Sequence, residues 1–570
     1  MPSPTEVSRR RLDRYDPGMP ATLHPYPART VLDYVREAAE QRPASPALLF
    51  KGAVLTNGEL EAASDAFAAA LVSLGVRKGD RVALLLPNCP QFLIAELGAW
   101  KAGAVVAPLN PIYTERELAE ALARIRPETL VTLTRFYRRV KGIQPRTTVR
   151  RVIAANIKEH FPPVLRLLFT ALLERREGDR VRLHPGDHRF PELLRAFAGA
   201  ARPAVAVGPD DPALLLMSGG TTGSPKAALG THGGFVAAGL QIRAWLAAIF
   251  PEWDATIMLP IPLFHVFGNA GVQAIALLGH NPISLIPNPR DLNDLVRTIR
   301  RVRPTVFAAV PALFSALLEH PDVRSGRADF SSIKGCFSGA SALLAETKER
   351  FEHYTGGVLI EGYSLTEAMM AIVANPVLRE KKVGSVGLPL PDVEVAIVDS
   401  ETGAAPVPDG EVGEVVLRAP QLMRGYLDDD AGTREVLRDR ADGGPPWLFT
   451  GDLGYLDPDG YLCIVDRKKD LIKVSGLQVW PREIEEVIAR HPAVADVGVA
   501  GIPHETRGEA VKAWVVLRAG MHASEDEIRD HCRHSLAPYK VPRTVAFRAE
   551  LPRNLIGKVL RRELRQEVEQ

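Results

Sequence analysis

Cysteine is scarce. Cys89, Cys336, Cys463 and Cys532 are the only four, and no two of them lie near each other. That spacing excludes a zinc-ligand run and a Cys-x-x-Cys redox pair, so a reducing cytosol is the expected compartment. No uninterrupted apolar run approaches the length of a membrane span. The segment from Met1 to Leu23 is polar, holds three consecutive arginines and lacks the apolar centre of a signal peptide. An excess of one charge is missing too: net +2 on 570 residues gives no global case for nucleic-acid binding. Internal repeats are absent. The composition, 46% hydrophobic and 24% charged, is ordinary for a globular protein. The length is too great for one core and implies two or more domains.

From Thr30 onward, amphipathic helices alternate with short apolar strands. Arg81 to Leu86 and Ala104 to Leu109 read as strands around a helix from Gln91 to Lys101, and the pattern recurs at Thr305 to Val310 and Gly335 to Phe337. Such alternation predicts an α/β fold with largely parallel sheets. A β-rich section is expected from Val393 to Ile464, with Asp409-Gly410 and Asp457 to Gly460 as hairpin turns. After Arg467 the texture changes to a compact α+β unit. The expected organisation is a poorly ordered arm over 1–28, a large N-terminal domain over 29–467 containing a β-rich subdomain, a boundary at 468–470, and a small C-terminal domain over 471–570.

The most telling stretch is Ser218-Gly219-Gly220-Thr221-Thr222-Gly223-Ser224-Pro225-Lys226, which follows the apolar run Ala213 to Met217. Glycines let the backbone turn back and approach an anion, and hydroxyls with one ammonium offer donors to phosphate oxygens. It is not a Walker A loop, because no Gly-Lys-Ser/Thr ends it. Alone it could be a plain turn. It is followed, in order, by Gly362-Tyr363-Ser364-Leu365-Thr366-Glu367, by Thr450-Gly451-Asp452, by Asp466-Arg467-Lys468-Lys469-Asp470-Leu471-Ile472-Lys473, and by Gly557-Lys558. Together these five motifs resemble the signature of the adenylate-forming superfamily, which contains acyl-CoA synthetases, adenylation domains of peptide synthetases and luciferases. The resemblance runs from about Arg29 to about Leu564.

The resemblance implies ATP, Mg²⁺ and coenzyme A as ligands. Thr221, Thr222 and Lys226 would hold the β- and γ-phosphates within the loop Ser218 to Gly223. Glu367 would ligate Mg²⁺, a hard ion favouring oxygen, with Thr222 completing the metal site. Thr366 would contact the α-phosphate, and Lys558, a point charge on a long stem, would bridge the carboxylate and α-phosphate oxygens. Asp452 would accept the ribose hydroxyls, supported by Arg467. Tyr363, flanked by Glu361, Gly362 and Ser364, would stack on adenine. Gly339, Ala340 and Ser341 would line the adenine and acyl pockets. His265, in Pro262 to Gly268, is either a satisfied core histidine or a residue of the acyl pocket. The boundary at 468–470 would be the hinge of a mobile C-terminal domain, pivoting at Lys469. After rotation Lys558 would withdraw and Lys473 to Gly476 would move in beside a pantetheine tunnel. Gly219, Ala227, Ser364 and Ile556 depart from the commonest family residues without removing a charge.

The segment 134–182 is the subfamily hint. It places Arg138-Arg139 and Arg150-Arg151 before the short apolar helix Pro163 to Leu173. Two readings stand: a helix packed on the N-terminal domain, or peripheral contact with an anionic membrane face. The insertion looks like that of bacterial long-chain fatty acyl-CoA synthetases. A fatty acid, ATP and CoA are thus the expected substrates. An aryl-acid CoA ligase, an acyl-AMP ligase loading a carrier protein, and a non-catalytic binder on the same fold are the alternatives. No carrier domain is seen after the last motif. Oligomeric state, a homodimer included, is left open.

Overall fold

Strands such as Arg81–Leu85 and Val105–Pro108 bury nearly every side chain, as a parallel strand covered on both faces must. In the computed structural model they lie inside a seven-stranded sheet. Its order is His188–Arg189, Arg151–Ala155, Thr129–Leu133, Arg81–Leu85, Val105–Pro108, Pro212–Ser218 and Lys226–Thr231. All neighbours are parallel except the last pair, an antiparallel hairpin in which Ser218 stands opposite Lys226. The structure describes residues 12–218, 225–341, 343, 345–382, 384–440, 444–474, 477–504, 508–553 and 558–566.

A nine-stranded sheet forms the second layer. Its centre joins Val358–Leu365, Gly335–Ser338, Val306–Ala309, Ile257–Leu259, Ile283–Leu285 and Pro46–Phe50, all parallel. Parallel strands bring their carboxyl ends to one edge, where open α/β sheets bind ligands. Here that edge carries the segments after Leu259, Ser338 and Leu365. Between the layers runs the helix Pro90–Lys101, all twelve of whose residues are buried.

The β-rich section is as expected: Glu394–Val398, Gly413–Arg418, Leu437–Arg438, Trp447–Leu456 and Leu462–Arg467 form an antiparallel sheet. Asp457 shapes the turn between the last two by accepting from the amides of Asp459 and Tyr461, both at 2.9 Å. Residues 472–548 build a separate sheet with its own core, which includes Ile472, Ile484, Val499, Val515 and Ile528. At the boundary the Asp470 amide donates to the Arg467 carbonyl at 2.9 Å, making a turn. Arg561 straddles it, 2.8 Å from Glu485, 3.3 Å from Asp470 and 3.6 Å from Asp466.

Two expectations change. Residues 12–28 are not a loose arm. Buried Asp16 accepts from the amides of Val377, Leu378 and Arg379 at 2.7–2.9 Å, and Tyr15 packs edge-on against Trp245. Three backbone donors satisfy a buried carboxylate and so hold the segment down. The second change concerns Pro163–Leu168 and the π turn Phe169–Leu173 that continues it. Only Phe169 of this stretch is buried, against Phe161, while Val164 is 72%, Leu167 70% and Leu172 68% exposed. The packed-helix reading does not hold.

Candidate active site

Antiparallel pairing places Asp452 directly opposite Arg467. Their side chains therefore share a face, and Arg467 Nε lies 2.7 Å from Asp452 Oδ1. The other carboxylate oxygen accepts the Tyr363 hydroxyl at 2.5 Å. Tyr363 comes from the end of Val358–Leu365, so a strand of the nine-stranded sheet and a hairpin of the β-rich sheet meet at one buried aspartate. Burial, then the Asp452 charge, holds the Tyr363 hydroxyl well above the usual tyrosine range. The same aspartate raises Arg467. Lys558 is the fourth member. Burial pushes its ammonium down to about 8, Arg467 pushes the same way, and Asp452 opposes them. A lysine from the C-terminal domain is thus set within electrostatic reach of a cluster on the N-terminal domain.

A second group forms beside the hairpin Pro212–Ser218 and Lys226–Thr231. The Tyr426 hydroxyl donates to Glu367 Oε1 at 2.8 Å, and the Ser218 hydroxyl is its second partner. Burial, then Glu367, raises that phenol far above its usual range. Lys226 Nζ sits 4.8 Å above the Tyr426 ring and 3.8 Å from each of Asp429 and Glu435. Glu367 is carried by the short turn Thr366–Ala368, which Met369 closes at φ +51°. The donors are hydroxyls and a carboxylate, an all-oxygen set that suits Mg²⁺ when phosphates supply the remaining ligands. Among the described residues no group of three or more His, Cys, Asp or Glu side chains is placed to hold a metal unaided.

The third group lines the carboxyl ends of the parallel strands. Gly339 follows Ser338, and a Cβ on it would stand 3.4 Å from the Phe267 ring and 3.7 Å from the Gly362 carbonyl. Ala340 takes φ +73°, which bends the backbone away from the strand, with Ser341 next in line. His265 Nδ1 accepts from the Phe267 amide at 3.2 Å, so its proton sits on Nε2. Enclosure by the surrounding protein lowers His265 to about 4, and the ring is neutral at physiological pH. Glu361, paired in register with Ser338, is raised by burial. Ser364 pairs in register with Ala371.

The model of the AMP-binding enzyme family matches residues 35–427, and that of the AMP-binding enzyme C-terminal domain matches 483–558. The chain belongs to the AMP-binding enzyme family. A long-chain-fatty-acid–CoA ligase of Bacillus subtilis is 36% identical over 98% of this chain and 97% of its own length. One from Escherichia coli is 35% identical over 98% of both. Among solved structures, an anthranilate CoA ligase in complex with anthranoyl-AMP superposes with a TM-score of 0.84 at 25% identity, covering 97% of this chain and 99% of its own. ATP-bound MatB from Rhodopseudomonas palustris gives 0.80 at 27%, covering 94% and 99%.

Within this family frame, the structure brings together Tyr363, Asp452, Arg467 and Lys558, and separately Ser218, Lys226 and Glu367. It does not bring Lys473 to either group. That residue alternates with buried Ile472 and Val474 on its strand, so its side chain faces solvent. Gly219, Gly220, Thr221, Thr222, Gly223 and Gly476 lie outside the described residues. Tyr426 and Asp429 were missed by sequence reasoning. The available signal was Gly425, held at φ +150°, where a Cβ would come within 2.8 Å of Thr433. That glycine lets the segment Arg424 to Leu427 pair with Ala227 to Leu229 and deliver the tyrosine.

Proposed function

We propose that the chain is an AMP-forming fatty acid–CoA ligase. The observation that carries this is Asp452 holding Tyr363 and Arg467 while Lys558, from a different domain, lies within electrostatic reach of it. In the first half-reaction a carboxylate oxygen of the acid attacks the α-phosphorus of ATP, and the bond to pyrophosphate breaks. Asp452 has both oxygens engaged by protein donors, which fixes its plane and leaves lone pairs for ribose hydroxyls. Lys558 bridges the two anions that must approach each other, an electrostatic task suited to a desolvated site. Lys226 and the hydroxyls of Ser218, Thr221 and Thr222 receive the outer phosphates. Glu367, oriented by Tyr426, would with Thr222 hold Mg²⁺ carried in with the nucleotide, and Thr366 would meet the α-phosphate; the ion, when bound, offsets phosphate charge. In the second half-reaction the CoA thiolate attacks the acyl carbon and AMP leaves. The small domain turns at 468–470 between the two, withdrawing Lys558 and presenting Lys473 to Gly476.

The substrate class is tested by CoA-dependent AMP release across acids from acetate to oleate plus coumarate, with a control lacking CoA. An optimum at long aliphatic acids is expected. An optimum at coumarate would move the enzyme to aryl acids, and adenylate without thioester would move the acceptor to a carrier protein.

The exposed helix suggests where the acid is collected. Residues 134–182 hold thirteen basic and four acidic side chains, net +9 in a chain of net +2. Beside them Val164, Leu167 and Leu172 face solvent. No described helix is long and apolar enough to cross a membrane. An apolar edge within a basic field fits the surface of an anionic bilayer. The protein is expected to sediment with phosphatidylglycerol vesicles and not with phosphatidylcholine alone. Leu167→Asp with Leu172→Asp should weaken this about tenfold or more, each leucine adding on the order of 1 kcal/mol or more of burial. Equal binding to both lipids, or no effect of the pair, would refute the reading.

A further inference from the structure

The helix Pro90–Lys101 contains one carboxylate in an apolar run, Glu96, and it is fully buried. Its Oε1 accepts from Asn269 Nδ2 at 2.7 Å, and its Oε2 accepts from Gln273 Nε2. Asn269 Nδ2 also donates to the Leu263 carbonyl at 3.1 Å. Asn269 and Gln273 both stand on the π turn Phe267–Gln273, whose seven residues are all buried. The amide oxygens of both are buried without a hydrogen-bond partner. Burial pushes the Glu96 carboxyl up to about 7 against the pull of the two amides, and no charged side chain is among the groups acting on it. The helix's own lysine, Lys101, is engaged elsewhere, with Asp65 at 2.7 Å and Glu61 at 2.8 Å.

Such a carboxylate is a poor stabilising device, because two amides offset only part of its desolvation. What it touches suggests another purpose. π turns are rare and concentrate at functional sites. This one begins two residues after His265. Its Gly268 folds so close to Pro262 that a Cβ would lie 2.3 Å from that carbonyl oxygen, and Gly271 lies against Met370 in the same manner. Phe267, at its start, closes the space beside Gly339. The turn therefore touches the Gly339 loop on one side and the end of the Thr366–Met370 loop on the other.

We infer that Glu96 is a positioning residue: by bridging Asn269 and Gln273 it holds the π turn in register, so that Phe267 forms a fixed wall of the acyl pocket and sets which acyl chains fit. This rests on the reading that Gly339 lines that pocket. Glutamine at position 96 preserves the bridge, since one amide can rotate and offer its unpartnered oxygen to the new NH₂ group. Leucine removes the bridge, leaving the Gln273 amide without its acceptor and Asn269 with the Leu263 carbonyl alone. Gln273→Met removes one arm at nearly constant volume.

The test uses the full chain with ATP and CoA, measuring KM for each acid in a chain-length series and KM for ATP, with thermal unfolding as the check on folding. Glu96→Gln is expected to keep the profile. Glu96→Leu and Gln273→Met are expected to raise KM for the longest accepted acids about tenfold while KM for ATP stays within about twofold. Gly339→Trp, run alongside, should shorten the profile. If Gly339→Trp shifts the profile and neither bridge variant does, the bridge has no part in selecting acyl chains. If Gly339→Trp shifts nothing, the pocket is elsewhere and the inference falls with it. Should Glu96→Leu fail to fold, Gln273→Met alone decides, and an unchanged profile in it overturns the proposal.

Discussion

Lys558→Ala is expected to abolish acyl-adenylate formation, by about a thousandfold, while sparing thioester formation from supplied acyl-AMP. Its ammonium lies within electrostatic reach of Asp452 and is the charge proposed to meet the approaching anions. Alanine leaves the carboxylate of the acid and the α-phosphate to repel each other in a water-poor site. A group that acts in one orientation of the small domain has no reason to act in the other, so the half-reactions should separate. Acid-dependent ATP–pyrophosphate exchange reads the first and AMP release from acyl-AMP and CoA reads the second. Equal losses in both would refute the two-orientation assignment. The pH dependence carries the same signature. Lys558 is lowered to about 8, so it is charged below that value and loses its proton above it. In the free enzyme, kcat/KM for adenylation should fall as pH rises through about 8. Lys558→Arg, charged at every accessible pH, should flatten that limb even if its absolute rate is poor.

Asp452→Ala is expected to damage both chemistry and fold. Asp452 is buried, and the change leaves the Arg467 guanidinium and the Tyr363 hydroxyl without their shared acceptor. Breaking a buried pair from one side costs about 3–5 kcal/mol. Arg467 keeps partial access to water, so the lower end, about 3 kcal/mol, is expected. Urea unfolding measures it. Pyrophosphate exchange should fall about a hundredfold, with KM for ATP raised, because Asp452 is the proposed acceptor of the ribose hydroxyls. Asp452→Asn keeps the shape and one acceptor oxygen and should recover most of the stability but little of the exchange. Normal ATP use by Asp452→Asn would mean that the ribose is held elsewhere.

The parts of the site that could be read from the chain are those written as local motifs. Tyr363, Asp452, Arg467 and Lys558 were each recognisable from their neighbours, and their order along the chain made them a set. The parallel sheets were legible because a doubly covered strand must be apolar on both sides. What escaped depends on contacts distant in sequence. Tyr426 reaches Glu367 only because Arg424 to Leu427 pairs with a strand some two hundred residues earlier. Asp16 looks like part of a polar tail until three amides near residue 378 close around it. Glu96 reads as one acid in a helix, and its two amide partners lie more than 170 positions away. The leucines after Pro163 misled in the other direction, since an apolar stripe ordinarily faces inward and here most of it does not.

Arg561 answers to carboxylates on both sides of the turn at 468–470. Glu485 belongs to the small domain, Asp466 to the last strand of the large one, and Asp470 to the turn itself. A single guanidinium cannot keep all three if one body swings relative to the other. In such a swing its contact with Glu485 would travel with the small domain, and the one with Asp466 would be given up. The arrangement works as a detent. For the proposed rotation it would make the present orientation a discrete stop instead of one point on a smooth arc, and would put a barrier, set by a half-hidden ion cluster, in front of each turn of the cycle.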